Sequence, residues 1–211
     1  METTVRRAHE IMGVDFFGIK YTAKHFCGIR PQTQQQESFL LEKVPFSENL
    51  LNKCRKSHLL HVFFPCDGFF EILEDLDTKE YAKKGKRLIK QSLHDKEFSR
   101  ECRNQQVGWK LISKELMKNS TLKNFQEEID LLKKKEVIPS ASEVAKAIIG
   151  HYLANGERLL ENKHARTSSV DLNGRRLAVG GFGEDGLKID FTWDDEKEPF
   201  LGILSAYVNS T

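Results

Sequence analysis

Residues 164–208, HARTSSVDLNGRRLAVGGFGEDGLKIDFTWDDEKEPFLGILSAYV, carry the most regular pattern in the chain. From Leu187 to Trp193 the side chains alternate, with Leu187, Ile189, Phe191 and Trp193 on one face and Lys188, Asp190 and Thr192 on the other. That is the period of a strand with one side buried and one side wet. Arg176 to Phe182 reads as a second strand and His164 to Val170 as a third. Asn173-Gly174 and Asp185-Gly186 lie between these runs, and both dipeptides suit the positive backbone dihedrals of two-residue hairpin turns. Phe200 to Val208 is expected to return as a fourth strand after the polar connection Asp194 to Pro199. The stretch predicts a twisted antiparallel meander with one apolar face.

An apolar face needs a cover, and the segment before it supplies one. Ser140-Ala141-Ser142-Glu143 has the S-x-x-E spacing of a capping box. Val144, Ala147, Ile148, His151 and Tyr152 follow at helical spacing, and Asn155-Gly156 offers a left-handed stop. This helix is expected to lie across the sheet. The fold class is therefore α+β, a C-terminal antiparallel β-meander packed against helices, because regular strand–helix alternation is absent.

Working outward, His58 to Pro65 (HLLHVFFP) reads as a fully buried strand, with a short helix before it capped at Ser47. Trp109 to Leu116 alternates as another strand. Thr121 to Lys135 predicts an amphipathic helix with Leu122, Phe125, Ile129 and Leu132 inward. Asp67 to Leu76 has helical spacing, and Met1 to Met12 predicts a helix ended by Gly13. Pro31 to Glu37 (PQTQQQE) is polar, led by a proline and lacks periodic apolar positions, so it reads as a linker. The 211 residues fit one α+β domain, with residues 38–211 as its core. Residues 1–37 would be the helical appendage if there is one.

Composition narrows the function classes. Lys plus Arg number 33 against 31 for Asp plus Glu, a net charge of +2, so no overall field favours nucleic acid or an anionic membrane. No apolar run is long enough to cross a bilayer, and no secretory apolar core follows Arg6-Arg7. Cys27, Cys54, Cys66 and Cys102 have no paired spacing, so reduced thiols in a cytoplasmic, soluble protein are expected.

The chemical motifs are weak. Gly181-Phe182-Gly183-Glu184-Asp185-Gly186 matches G-x-G-x-x-G, but a strand follows where a dinucleotide site needs a helix, so a hairpin is expected. Cys54, His58, His61 and Cys66 include zinc-ligand types, yet residues three apart on a strand point to opposite faces. Asp190, Asp194, Asp195, Glu196 and Glu198 read as a solvated connection, with Trp193 as an aromatic plate beside carboxylates. Arg166, Thr167, Ser168, Ser169 and Asp171 form a polar run that either converges with Asp190 or Trp193 on the wet face or, the favoured reading, pairs Arg166 with a carboxylate across strands. No cofactor motif is found.

Three stretches together, VPFSENLLNKCRKSHLLHVFFP (44–65), PSASEVAKAIIGHYLANGERLLEN (139–162) and RTSSVDLNGRRLAVGGFGEDGLKIDFTWDD (166–195), resemble a family of uncharacterised bacterial proteins of about 200 residues. The shared features are a short apolar strand after Cys54-x-x-x-His58, the Ile148–His151 and Gly156–Leu159 helix end, Arg166–Ser168, a D-G hairpin and Trp193–Asp195. The resemblance spans roughly residues 40–205 and carries no activity, substrate or cofactor.

These readings favour a binding or accessory protein over an enzyme. The expected surface is the polar face of the C-terminal sheet, with Glu157, Arg158, Arg166, Ser168, Asp171, Trp193, Asp194 and Asp195 as candidates. A protein or small molecule is the expected kind of ligand, with no membrane and with nucleic acid disfavoured. One rival is a hydrolase or transferase in which Glu157, Asp171, Asp190, Asp194 or Asp195 meets His151 or His164 in a cleft. The other is a nucleic-acid binder using lysines near 83–90 and 133–135.

Overall fold

The computed structural model describes residues 2–25, 34–65, 88–90 and 95–208. Cys27, Cys66, the Asp67–Leu76 segment and most of the basic 79–90 stretch lie outside them. Among the described residues the architecture is α+β. The meander is present: β7 (His164–Val170), β8 (Arg176–Gly183) and β9 (Gly186–Thr192) pair antiparallel in chain order.

Its fourth strand departs from expectation. β10 (Leu201–Ile203) runs parallel to β7, pairing Leu201 with His164, and so takes the far side of the sheet from β9. The outer edge of β9 is already taken where it starts. Leu187 N–H donates to Leu88 O, and Lys90 N–H donates to Leu187 O. The turn into β9 uses Glu184 and Asp185, with Gly186 at φ +98° and its backbone close against Ile89, where a side chain would be both strained and obstructed. The other hairpin is not a two-residue turn. Asp171 to Arg175 form the loop, closed by the Asp171 and Arg175 backbones and by the Asp171 carboxylate, which accepts from Asn173 N–H and Arg175 N–H.

A second sheet, of five strands, runs in the order β2 (Phe16–Phe17), β4 (His58–Phe63), β5 (Gly108–Ser113), β11 (Ala206–Tyr207), β6 (Glu136–Val137). The end of the expected fourth meander strand thus crosses into this sheet. A two-stranded ribbon joins β1 (Thr3–Thr4) to β3 (Lys43–Val44).

The predicted covering helix, Ala141–Asn155, packs against β7, β8 and β9 and also against β4, so it lies between the two sheets. That position explains why Ala141 to Tyr152 are all buried: no face of the helix meets water. Ser140 and Glu143 form the capping box, and Gly156 caps the end in the left-handed conformation. Its buried polar side chains are paired, as a dry setting demands. Glu143 meets Lys110, and the Lys146 ammonium donates to Phe64 O and Gln105.

The remaining described helices are α1 (Val5–Met12), α2 (Ile19–His25), α3 (Gln34–Glu42), α4 (Glu48–Cys54), α5 (Asp95–Arg103) and α6 (Phe125–Ile129); the central helix is α7. Two expectations change here. Gln34 to Glu37 are not linker but open α3, since Gln and Glu favour helix and Leu40 anchors it in the core. The Thr121–Lys135 helix shrinks to α6. Leu122 adopts φ +59° and is 60% exposed, and Lys135 at φ +76° lies past the other end. The buried residues of α6 are Phe125 and Glu128, an apolar and a charged side chain that hydrophobic periodicity could not pair. Among the described residues no helix is long and apolar enough to cross a membrane.

Candidate functional site

The eight residues expected on one wet face divide among three places. Arg166 and Asp171 are not on a wet surface. Arg166 is fully enclosed, with its guanidinium 2.9 Å from the equally enclosed Glu128 carboxylate and donating to Glu196 O at 2.7 Å and Thr192 Oγ1 at 3.4 Å. The physical reason is this acceptor set, which engages both terminal nitrogens of a cation the strand turns inward, while its Nε stays without a partner. Burial pushes the Glu128 carboxyl up to about 7, against the opposing pull of Arg166. Asp171 is buried in its hairpin loop, bound by Arg175 at 2.7 Å, and these bonds outweigh desolvation and hold its pKa below the usual carboxylate value.

Ser168 and Asp194 share Arg176, which pairs with the Asp194 carboxylate at 2.6 Å and lies over the Phe125 ring. Asp194 and Asp195 border an open recess of about 390 Å³ with Phe125 and Ile129. Trp193 follows the last β9 residue and is 56% exposed, so it does not extend the buried row of Leu187 and Ile189. Phe191 is partly buried beneath Arg175. Arg158 instead meets Tyr152, Phe182 and Gly183 O, near the other end of β8, roughly 20 Å away at 3.3 Å per residue.

Glu157 does meet His151, as the enzymatic rival expects, at 3.0 Å from Nε2. On its other side His151 approaches Asp15 at 3.3 Å, and Asp15 is bound by the Lys114 ammonium at 2.6 Å. His164 lies 3.5 Å from Asp190. His151 is buried inside α7, so this chain ties the N-terminal segment to the core. His58 and His61 point to opposite sides of β4: His58 packs on Tyr207, and His61 packs on Phe17 and Phe63. Among the described residues no group of three metal-ligand side chains converges.

A larger recess, of about 600 Å³, opens on the five-stranded sheet at the end where β4 begins and β5 finishes. Strand register builds it. His58 is opposite Ser113, and the next row on the same face runs Leu60, Leu111, Tyr207, Glu136 across four strands. The row starts in the core, where Leu60 and Leu111 are enclosed, and ends at the sheet edge on a phenol and a carboxylate. Leu116, Met117 and Leu131 supply apolar wall, while Lys56, Lys118 and Lys133 stand exposed around it.

The electrostatics of this recess are set by burial. His58 is held down to about 4 by desolvation, against the pull of Glu136, so its imidazole is neutral near pH 7. Its Nδ1 lies 2.8 Å from Ser57 Oγ, whereas its buried Nε2 has no hydrogen-bond partner. Desolvation, then the hydrogen bond with Glu136, pushes the Tyr207 phenol up to about 12. Desolvation, then Glu136, pushes the Cys54 thiol up to about 11, so it is no nucleophile at neutral pH. Sequence reading saw His58 only as a possible metal ligand and missed Ser113, Tyr207 and Glu136. They are remote in the chain, and only the register of β4, β5, β11 and β6 makes them neighbours.

No family model, curated protein or solved structure matches the chain.

Proposed function

We propose that this protein is a binding module for a small molecule, with the recess on the five-stranded sheet as its site. The carrying observation is convergence: four separate chain segments bring polar side chains and an apolar wall to one concavity of about 600 Å³, the size and character of a ligand pocket. The Asp194–Asp195 corner supports the reading less well, because its arginine is already spent on Asp194 and Phe125. A hydrolase is the second reading, favoured by the Ser57–His58 contact of 2.8 Å. A histidine held to about 4 is a poor base at neutral pH, which argues for binding over catalysis.

A fragment screen read by NMR tests the proposal. Bound fragments should shift the ring signals of His58 and Tyr207, and Met117→Trp, which fills the recess, should abolish those shifts. Fragments that bind while leaving both rings unmoved, or a screen without binders, would remove the recess as the site.

A further inference from the structure

We propose that the recess takes a small organic anion with an apolar body, an inference that rests on the binding reading above. Its cations are uncommitted. Lys56, Lys118 and Lys133 are exposed and form no ion pair with a described residue. Its carboxylates are fewer. Glu136, which accepts from the Lys133 backbone N–H at 2.9 Å, and Glu115 set two carboxylates against three ammonium groups, so the lining is net positive. Lys114 does not add to them, since its ammonium is committed to Asp15.

The neutral polar groups of the recess have hydrogens to give. Ser57 Oγ lies 2.8 Å from His58 Nδ1, and in the tautomer whose Nδ1 accepts from this hydroxyl the ring hydrogen sits on Nε2. That buried, unpartnered Nε2–H is the kind of donor that a ligand oxygen satisfies. Ser113 Oγ accepts from Ser205 N–H at 3.1 Å, so its own hydrogen remains to be donated. Donors and ammonium groups therefore surround a wall formed by the His58 and Tyr207 rings with Leu116, Met117 and Leu131. An aromatic or aliphatic body carrying a phosphate or carboxylate matches that arrangement, and a cation does not.

Three probes of one shape, 1-naphthyl phosphate, 1-naphthol and 1-naphthylmethylamine, separate the possibilities by calorimetric titration. The phosphate should bind about tenfold or more tightly than the naphthol, and added salt should weaken only the phosphate. The double variant Lys118→Gln/Lys133→Gln, which changes only exposed side chains, should bring the phosphate down to the affinity of the naphthol and leave the naphthol unchanged. Equal or tighter binding of the naphthol or amine overturns the anion assignment and leaves the pocket standing. Phosphate binding indifferent to both the double variant and His58→Gln also overturns it, by locating the anion elsewhere. Failure of all three probes to bind removes the binding reading itself.

Discussion

The two sheets that enclose α7 are made in opposite ways. The four-stranded sheet takes three of its strands consecutively from residues 164–192, joined by short hairpins, and its neighbours in space are mostly neighbours in sequence. The five-stranded sheet is collected from residues 16–17, 58–63, 108–113, 136–137 and 206–207. The local sheet is tight, with backbone against backbone at Gly180 and a sealed ion pair at its inner strand β7. The collected sheet leaves a recess where ends of unrelated segments meet imperfectly. A ligand site more readily forms at such a seam than inside a hairpin stack, because four segments can each contribute a group of different chemistry.

The contrast can be broken by experiment, first where the effect should be greatest. Gly180→Ala should destabilise by more than about 4 kcal/mol, or prevent folding, because its methyl group runs into the Lys163 carbonyl and the His164 backbone. Gly108→Ala, at the start of β5, meets nothing and should stay within about 0.5 kcal/mol. Thermal melts of the pair decide this, and similar losses would mean the two sheets are equally tight. Next, Arg166→Met should cost about 3–5 kcal/mol by leaving Glu128 buried and unpaired. The double variant Arg166→Met/Glu128→Leu should recover most of that loss in denaturant titrations. Additive losses would show that the two side chains do not act as a pair.

The smallest effect is in pH, and the two regions should respond with opposite sign. Burial holds His58 to about 4 and His61 to about 3, below the usual 6.5, so between those values the unfolded chain binds more protons. Their contribution is full above pH 6.5 and is lost as pH falls through about 4 for His58 and about 3 for His61. Glu128 has its pKa raised from 4.5 to about 7, so its contribution is present below pH 4.5 and is lost as pH rises through 7. Denaturant midpoints against pH should show both limbs. His61→Phe should flatten only the acid limb and Glu128→Gln only the neutral one, and a variant that flattens both would refute the separation.

The same contrast explains what could be read in the sequence. Alternation at Leu187 and Ile189, the Ser140–Glu143 box and the Gly156 stop are local signals, and the meander and its helix follow them. Trp193 continued the alternation on paper, but the strand stops at Thr192, whose hydroxyl binds the Glu196 carboxylate at 2.7 Å. Arg166 read as a surface cation because its acceptors, Glu128 and Glu196 O, come from other segments. The recess was hidden for the same reason. Nothing near His58 announces Tyr207, and their meeting depends on which strand lies beside β5.

That placement has a consequence for biosynthesis. β11 follows every other strand of its sheet in the chain, yet it sits between β5 and β6. A nascent polypeptide can fold the hairpins of residues 164–192 as they emerge from the ribosome, while β5 keeps one ladder edge open and β6 has no strand to join. Only when Ala206 and Tyr207 clear the exit tunnel can both be satisfied, so the wall of the recess is completed after the hairpins of the other sheet.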